Sequence, residues 1–171
     1  MEHLKYPIGR FDKTRQYAFE DAPSALDYLE AFPALLRQEV ENLTAEDLEK
    51  VYRPDGWNIR QVVHHLADSH MHLYIRIKLA LTDENPAVSG YHENVWAETA
   101  DCGPDIQNPV QILGALHARI VQLYRNMSRE DYDKTYFHSG YQATYVLRNV
   151  LHLYRWHCEH HLGHIRLALK N

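Results

Sequence analysis

The chain has 171 residues and a mass of 20.1 kDa, about what one hydrophobic core supports, so a single domain over 1–171 is expected. Hydrophobic residues make up 45% and charged residues 24%, with 7 Gly and 7 Pro, which excludes disorder, collagen and low complexity. The net charge of -5 is the wrong sign for gripping a phosphate backbone, and no apolar run approaches the roughly 18 to 20 residues of a membrane helix, so neither nucleic acid nor membrane is an expected partner.

MEHLKYPIGRFDKTRQ, the opening stretch, has no apolar signal-peptide core. Cys102 and Cys158 lie far apart without a C-x-x-C spacing, which fits a reducing, cytoplasmic setting. Four long segments then show helical period, the outline of an all-α four-helix bundle. The first runs from about Pro23 to Asn42, with Leu26, Leu29, Phe32, Leu36 and Val40 at three- and four-residue steps and Pro33 expected to kink it. The second follows Asn58, whose pairing with Gln61 reads as a capping box, and carries Ile59, Val62, Val63, Leu66, Leu73, Ile77 and Leu81 until Asp83-Glu84-Asn85-Pro86.

A connection from Thr82 to Gln107 follows, long enough to be functional or to hold a short element of its own. The third helix is expected to start at Asn108, with Gln111 completing a second capping box and Pro109 at the first helical position, and to reach Met127. Thr135–His138 and Tyr141–Ala143 flank Ser139-Gly140 as a small hairpin, and the last helix runs from near Thr144 almost to the end.

The unusual count is 13 histidines, of which His64, His65, His70, His72 fall in the second helix and His152, His157, His160, His161, His164 in the fourth. At about 100° per residue, His161 and His157 lie roughly 40° and 80° from the apolar centre of the last helix, whereas His164 and His160 lie about 100° and 140° away. Two imidazoles at i and i+4 on a core-facing stripe can reach one metal ion, and a third from the second helix would complete a catalytic three-ligand set. The alternative is that each ring is hydrogen-bonded across the core or wetted at its edge. Periodicity does not choose between His64 and His65. His70 reads as a ligand or a buried histidine, and His3, His72, His92, His117, His138 and His152 as surface positions.

The stretch Tyr52-Arg53-Pro54-Asp55-Gly56-Trp57-Asn58, continuing through His64-His65-Leu66-Ala67-Asp68-Ser69-His70, together with Trp156-His157-Cys158-Glu159-His160-His161-Leu162-Gly163-His164, resembles the DinB superfamily and within it the YfiT-like branch. Tyr6-Pro7-Ile8-Gly9 resembles that branch as well. The resemblance implies a bundle with up-down-down-up connectivity, a metal triad of His65, His157 and His161, one divalent ion such as Zn or Ni, and a homodimer. His65 is preferred to His64 by resemblance alone.

Three neutral imidazoles would leave the ion its full double charge, able to lower the pKa of a water or, more decisively, of a thiol. The leading expectation is a low-molecular-weight thiol S-transferase, bacillithiol-like in its cosubstrate, acting on small electrophiles. The alternatives are a hydrolase using metal-activated water and a non-catalytic metal-binding stress protein. No general base is assigned. Glu159 should point outward, and Asp68, three residues after His65, is weighed as an orienting partner for an imidazole against a plain surface carboxylate. Cys158 reads as a buried core cysteine rather than a fourth ligand. Arg60, Arg76 and Arg155 are the cations placed to hold an anionic thiol.

Overall fold

A computed structural model describes residues 2–170. In chain order it contains α1 (Glu2–Lys5), a single 3-10 turn (Phe19–Asp21), α2 (Ala22–Val40), α3 (Ala45–Leu48), α4 (Ile59–Thr82), β1 (Ala87–Val88), α5 (Glu93–Trp96), α6 (Gln107–Arg125), α7 (Arg129–Tyr132), β2 (Thr135–His138), β3 (Ala143–Val146) and α8 (Leu147–Lys170). Helices α2, α4, α6 and α8 form the four-helix bundle. Each of α2 and α4 packs against both α6 and α8, so the cross-section is a square with α2 opposite α4. The connectivity is up-down-down-up, and the long 83–106 segment between α4 and α6 supplies the crossover that two parallel neighbours require.

The apolar stripes are those the periodicity marks: Leu26, Leu29, Phe32 and Leu36 on α2, Val63, Leu66, Leu73 and Ile77 on α4, and Leu147, Val150, Leu151 and Ile165 on α8 are all buried. Burying one such side chain stabilises the fold by roughly 1.5–3 kcal/mol. Asn58 caps α4 as expected: its Oδ1 accepts from Gln61 N at 2.8 Å and Gln61 Oε1 accepts from Asn58 N at 3.1 Å.

Pro33 sits inside α2 without ending it. Having no N–H, it leaves the Leu29 carbonyl without its helical partner, and His117 Nδ1 from α6 donates to that oxygen instead. The proline thus selects the neighbour as well as the helix shape.

Three expectations need correction. Helix α6 starts at Gln107, and no Asn108–Gln111 box forms: Asp105 Oδ1 takes the Gln107 amide at 2.9 Å, moving the start one residue earlier. The second hairpin strand begins at Ala143, because Gln142 adopts φ 49° and belongs to the turn. Helix α8 starts at Leu147 rather than Thr144, since residues 143–146 pair with β2. The 83–106 connection carries α5 and also β1, which pairs parallel to β2 and makes the hairpin a three-stranded sheet.

Residues before α2 form a strap over α8. Trp156 Nε1 donates to the Gly9 carbonyl at 3.1 Å, and Pro7 lies so close to Gly163 that a Cβ there would stand 2.8 Å from its Cγ. Gly163 is therefore the residue that lets the strap reach the helix.

Candidate metal centre

Helix α4 contributes His65, and α8 contributes His157 and His161 one turn apart. Their three ligand nitrogens lie within 4.8 Å of one another, and all three side chains come from the rigid middle of long helices. His65 Nε2 faces His157 Nε2 at 3.2 Å. The ring centroids of His65 and His161 are 4.8 Å apart and those of His157 and His161 4.5 Å.

Burial sets the charge of this group. Desolvation, then the neighbouring histidines, push His65 down to about 3 and hold His157 and His161 well below the ordinary imidazole range. At neutral pH the three rings are therefore uncharged, the form in which imidazole binds a metal.

The outer nitrogens say which lone pairs point inward. His164 Nε2–H donates to the Lys5 carbonyl at 3.1 Å, which leaves His164 Nδ1 as an acceptor 3.4 Å from His161 Nδ1. His161 then carries its proton on Nδ1 and its lone pair on Nε2. His65 Nδ1 lies 3.5 Å from the Tyr91 hydroxyl, and with its proton given to that oxygen the ring turns an Nε2 lone pair inward. His157 Nδ1 is buried without a hydrogen-bond partner among the described residues. With one ligand nitrogen from each ring within 4.8 Å of the others, this donor set fits a divalent cation of the kind held by three imidazoles.

Two other histidine groups surround it. His70, His117 and Cys158 form a buried chain: Cys158 Sγ lies 3.9 Å from His70 Nε2, His70 Nδ1 2.8 Å from His117 Nε2, and His117 Nδ1 donates to Leu29 O. One tautomer assignment satisfies every member, so this cluster is complete through hydrogen bonds. His160 packs between Trp156, at 4.5 Å and 16°, and Tyr6, at 5.7 Å.

The expected triad residues are thus together. His64 is not with them: its Nε2 bonds the Gly103 carbonyl at 3.0 Å, tying α4 to the connection. Asp68 makes no hydrogen bond to a triad ring among the described residues, because Tyr91 occupies the place beside His65. Burial, then Asp101, raises the Asp68 carboxyl to about 6. Glu159 pairs with Arg155 at 3.2 Å on the outer side of α8, and Cys158 is a core thiol as read. His117, His138 and His152 are buried, contrary to their surface reading: His117 lies on the α6 stripe between Leu113 and Ile120 against His70 and Leu29, His138 sits in β2, and Tyr17 stacks on His152. His160 and His164 are buried under Tyr6 and Lys5 of the strap and the ring of Tyr52. Tyr91 and Lys5 were not legible as site residues; the length of the connection was the only hint of the first.

A cavity of about 700 Å³ opens beside the triad and is lined by His157, Tyr91, Tyr136, Tyr154 and Arg76 among others. Burial raises the pKa of each of these phenols, so they are protonated donors at neutral pH.

The DinB superfamily profile matches residues 28–165. The chain belongs to the DinB superfamily. It is 40% identical over 164 residues to YfiT of Bacillus subtilis, covering 95% of this chain and 92% of that one, and 40% identical over 166 residues to a protein of Oceanobacillus iheyensis, covering 97% and 96%. Both are named as candidate metal-dependent hydrolases. The solved structure of YfiT, described as a four-helix bundle of unusual topology, superposes with a TM-score of 0.94 at 39% identity over 98% of this chain and 97% of that one. A mycothiol-dependent maleylpyruvate isomerase shares the fold, with a TM-score of 0.66 at 14% identity over 88% of this chain and 63% of that one. No described helix is long and apolar enough to cross a membrane.

Proposed function

We propose that the chain is a divalent-metal-dependent enzyme in which His65, His157 and His161 hold the ion, and that it transfers a low-molecular-weight thiol to a small electrophile. The observation that carries this reading is the convergence of one ligand nitrogen from each of three neutral imidazoles, within 4.8 Å of one another, beside a 700 Å³ cavity. When bound, a divalent ion on three neutral ligands supplies a Lewis acid that lowers the pKa of a thiol or water delivered to it.

The chain's own groups do the rest. His164 fixes the tautomer of His161, the Tyr91 hydroxyl stands beside His65, and the Trp57 ring packs 4.7 Å from that of His65. The protonated phenols of Tyr91, Tyr136 and Tyr154 offer hydrogen-bond donors to an oxyanion or leaving group developing in the cavity. In the transfer, a sulfur–carbon bond forms, the bond from that carbon to its leaving group breaks, and the thiol proton ends in solvent. The fold shared with a mycothiol-dependent enzyme makes a thiol cosubstrate a natural first choice to test.

The names of the curated relatives favour a second reading, hydrolysis with water as the nucleophile. Within the triad group there is no carboxylate to act as a general base, which is why we place it second. The test is direct: purified protein is incubated with N-acetylcysteine and a chromogenic alkyl halide, then with a chromogenic ester alone. Conjugate formation that needs thiol and disappears with EDTA supports transfer. Ester cleavage without thiol, lost with EDTA, replaces it with hydrolysis; metal-independent or absent turnover overturns both.

A further inference from the structure

Among the three arginines read from sequence as anion-holding, only Arg76 faces the cavity. Arg60 pairs with Glu49 at 3.0 Å and bonds the Cys102 carbonyl, and Arg155 pairs with Glu159. Arg76 lies on the third turn of α4 after His65, is only 8% exposed, and lines the same cavity as His157. Its Nη2 donates to the Ser89 carbonyl at 3.0 Å, the Tyr154 hydroxyl stands beside it, and its Nε has no partner among the described residues. No described carboxylate forms an ion pair with it. Glu93, on the same cavity wall, feels its charge without reaching it.

A guanidinium is charged at every accessible pH, and a buried charge with no counter-ion is expensive to keep. Helix α4 nevertheless spends a buried position on it, with donors left over, at the edge of a cavity whose phenols also donate. An anion with planar, paired acceptors would satisfy the fork.

We infer that Arg76, with the hydroxyls around it, is a carboxylate-binding point, and that the small molecule taken into the cavity beside His157 is a carboxylic acid. The inference deepens the proposed function by naming the charge class of its ligand, and it rests on that reading only for the role of His157. Lys13, at the cavity's rim, adds a second positive charge on the approach. The carboxylate belongs either to the thiol or to its electrophile; the arginine is the same in both cases.

The experiment compares two acid and neutral pairs: N-acetylcysteine against N-acetylcysteamine, and 3-phenylpropanoate against 3-phenylpropanamide. Dissociation constants are measured by calorimetry for wild type, Arg76→Gln and Arg76→Lys, with and without EDTA. In wild type the acid is expected to bind roughly tenfold or more tightly than its neutral partner in at least one pair. Arg76→Gln should bring that ratio close to one, and Arg76→Lys should keep part of it, which separates loss of charge from loss of fold. A preference confined to the thiol pair assigns the carboxylate to the thiol, and one confined to the other pair assigns it to the electrophile.

Ratios near one for both pairs in wild type overturn the inference, as does a ratio unchanged in Arg76→Gln. A wild-type preference that EDTA abolishes in the phenylpropanoate pair also overturns it, since the carboxylate then sits on the ion. If the ratio survives EDTA and falls in Arg76→Gln while His65→Ala still holds metal, the carboxylate point stands and the triad reading falls.

Discussion

His164 Nδ1 lies 3.4 Å from His161 Nδ1 while its other nitrogen donates to the Lys5 carbonyl. The histidine that looks outward by helical arithmetic is the acceptor that orients the inward one. Replacing it by phenylalanine keeps the ring stacked on Tyr52 and removes the acceptor. Metal affinity is expected to fall about 10–100-fold, the usual effect of losing an outer partner of a ligating imidazole. Competition with a chromogenic chelator measures it; an unchanged affinity in His164→Phe removes His164 from the centre.

Elemental analysis should find about one equivalent of divalent metal in the wild type and little in His65→Ala, His157→Ala or His161→Ala, whereas His64→Ala keeps it, by the three-imidazole logic of the site. Because His64 bonds Gly103 O, its variant should instead loosen the 83–106 connection, read as faster proteolysis there. Metal retention by all three triad variants would place the ion elsewhere.

The fold class and the His157–His161 pair were open to sequence reasoning because both depend on local period: four apolar stripes at 3.6-residue steps, and two histidines four apart on one of them. The choice of His65 over His64 was not, since both lie far from the stripe of α4 and both end up buried. A helix enclosed on nearly every side gives no angular contrast to read. Burial of His160, His164 and His152 depends on the strap and the 3-10 turn region, contacts across more than a hundred residues that no window along α8 contains. The missing capping box at Asn108 has a simpler cause. Asp105, two residues ahead of the first helical residue, accepts from the Gln107 amide, so the helix is already under way at Asn108.

Buried neutral histidines make the protein acid-sensitive. Burial pushes His117 and His152 down to about 4, whereas the unfolded chain takes up protons near the ordinary value of about 6.5. The unfolded state therefore binds more protons below that value, and stability is fully present above pH ~6.5 and falls as pH drops toward 4. Thermal melts of EDTA-treated protein from pH 8 to 5 should show Tm declining below about 6.5. A flat profile would contradict neutral burial.

Asp68 carries the opposite sign. Its carboxyl is raised from 3.8 to about 6, so between those values the folded state holds a proton that the unfolded chain has lost; stability falls as pH rises through that range and stays lower above it. Asp68→Asn should raise Tm at pH 8 and leave it unchanged near pH 4. A lower Tm at pH 8 would mean that the carboxylate has a favourable partner.

The chain from Cys158 through His70 and His117 to Leu29 O is closed at both ends, so removing a middle member leaves buried groups unpaired. His117→Phe should cost about 1–3 kcal/mol in chemical denaturation, with the Leu29 carbonyl and the His70 ring both losing a partner. Restoring an N–H to residue 33 by Pro33→Ala should recover part of that loss, because the freed carbonyl regains its helical donor. No recovery in the double variant would show that Leu29 O is satisfied some other way.

The strap that carries Lys5 meets a histidine 159 positions further along the chain. A loop that large is among the last to close, since each added residue between two partners lowers the chance of their meeting. By loop length alone, the outer wall of the centre closes a span of 159 residues, against 92 for the His65–His157 contact. The contact that orients His161 thus hangs on a strap held at long range, through the hydrogen bond that His164 Nε2 donates to the Lys5 carbonyl.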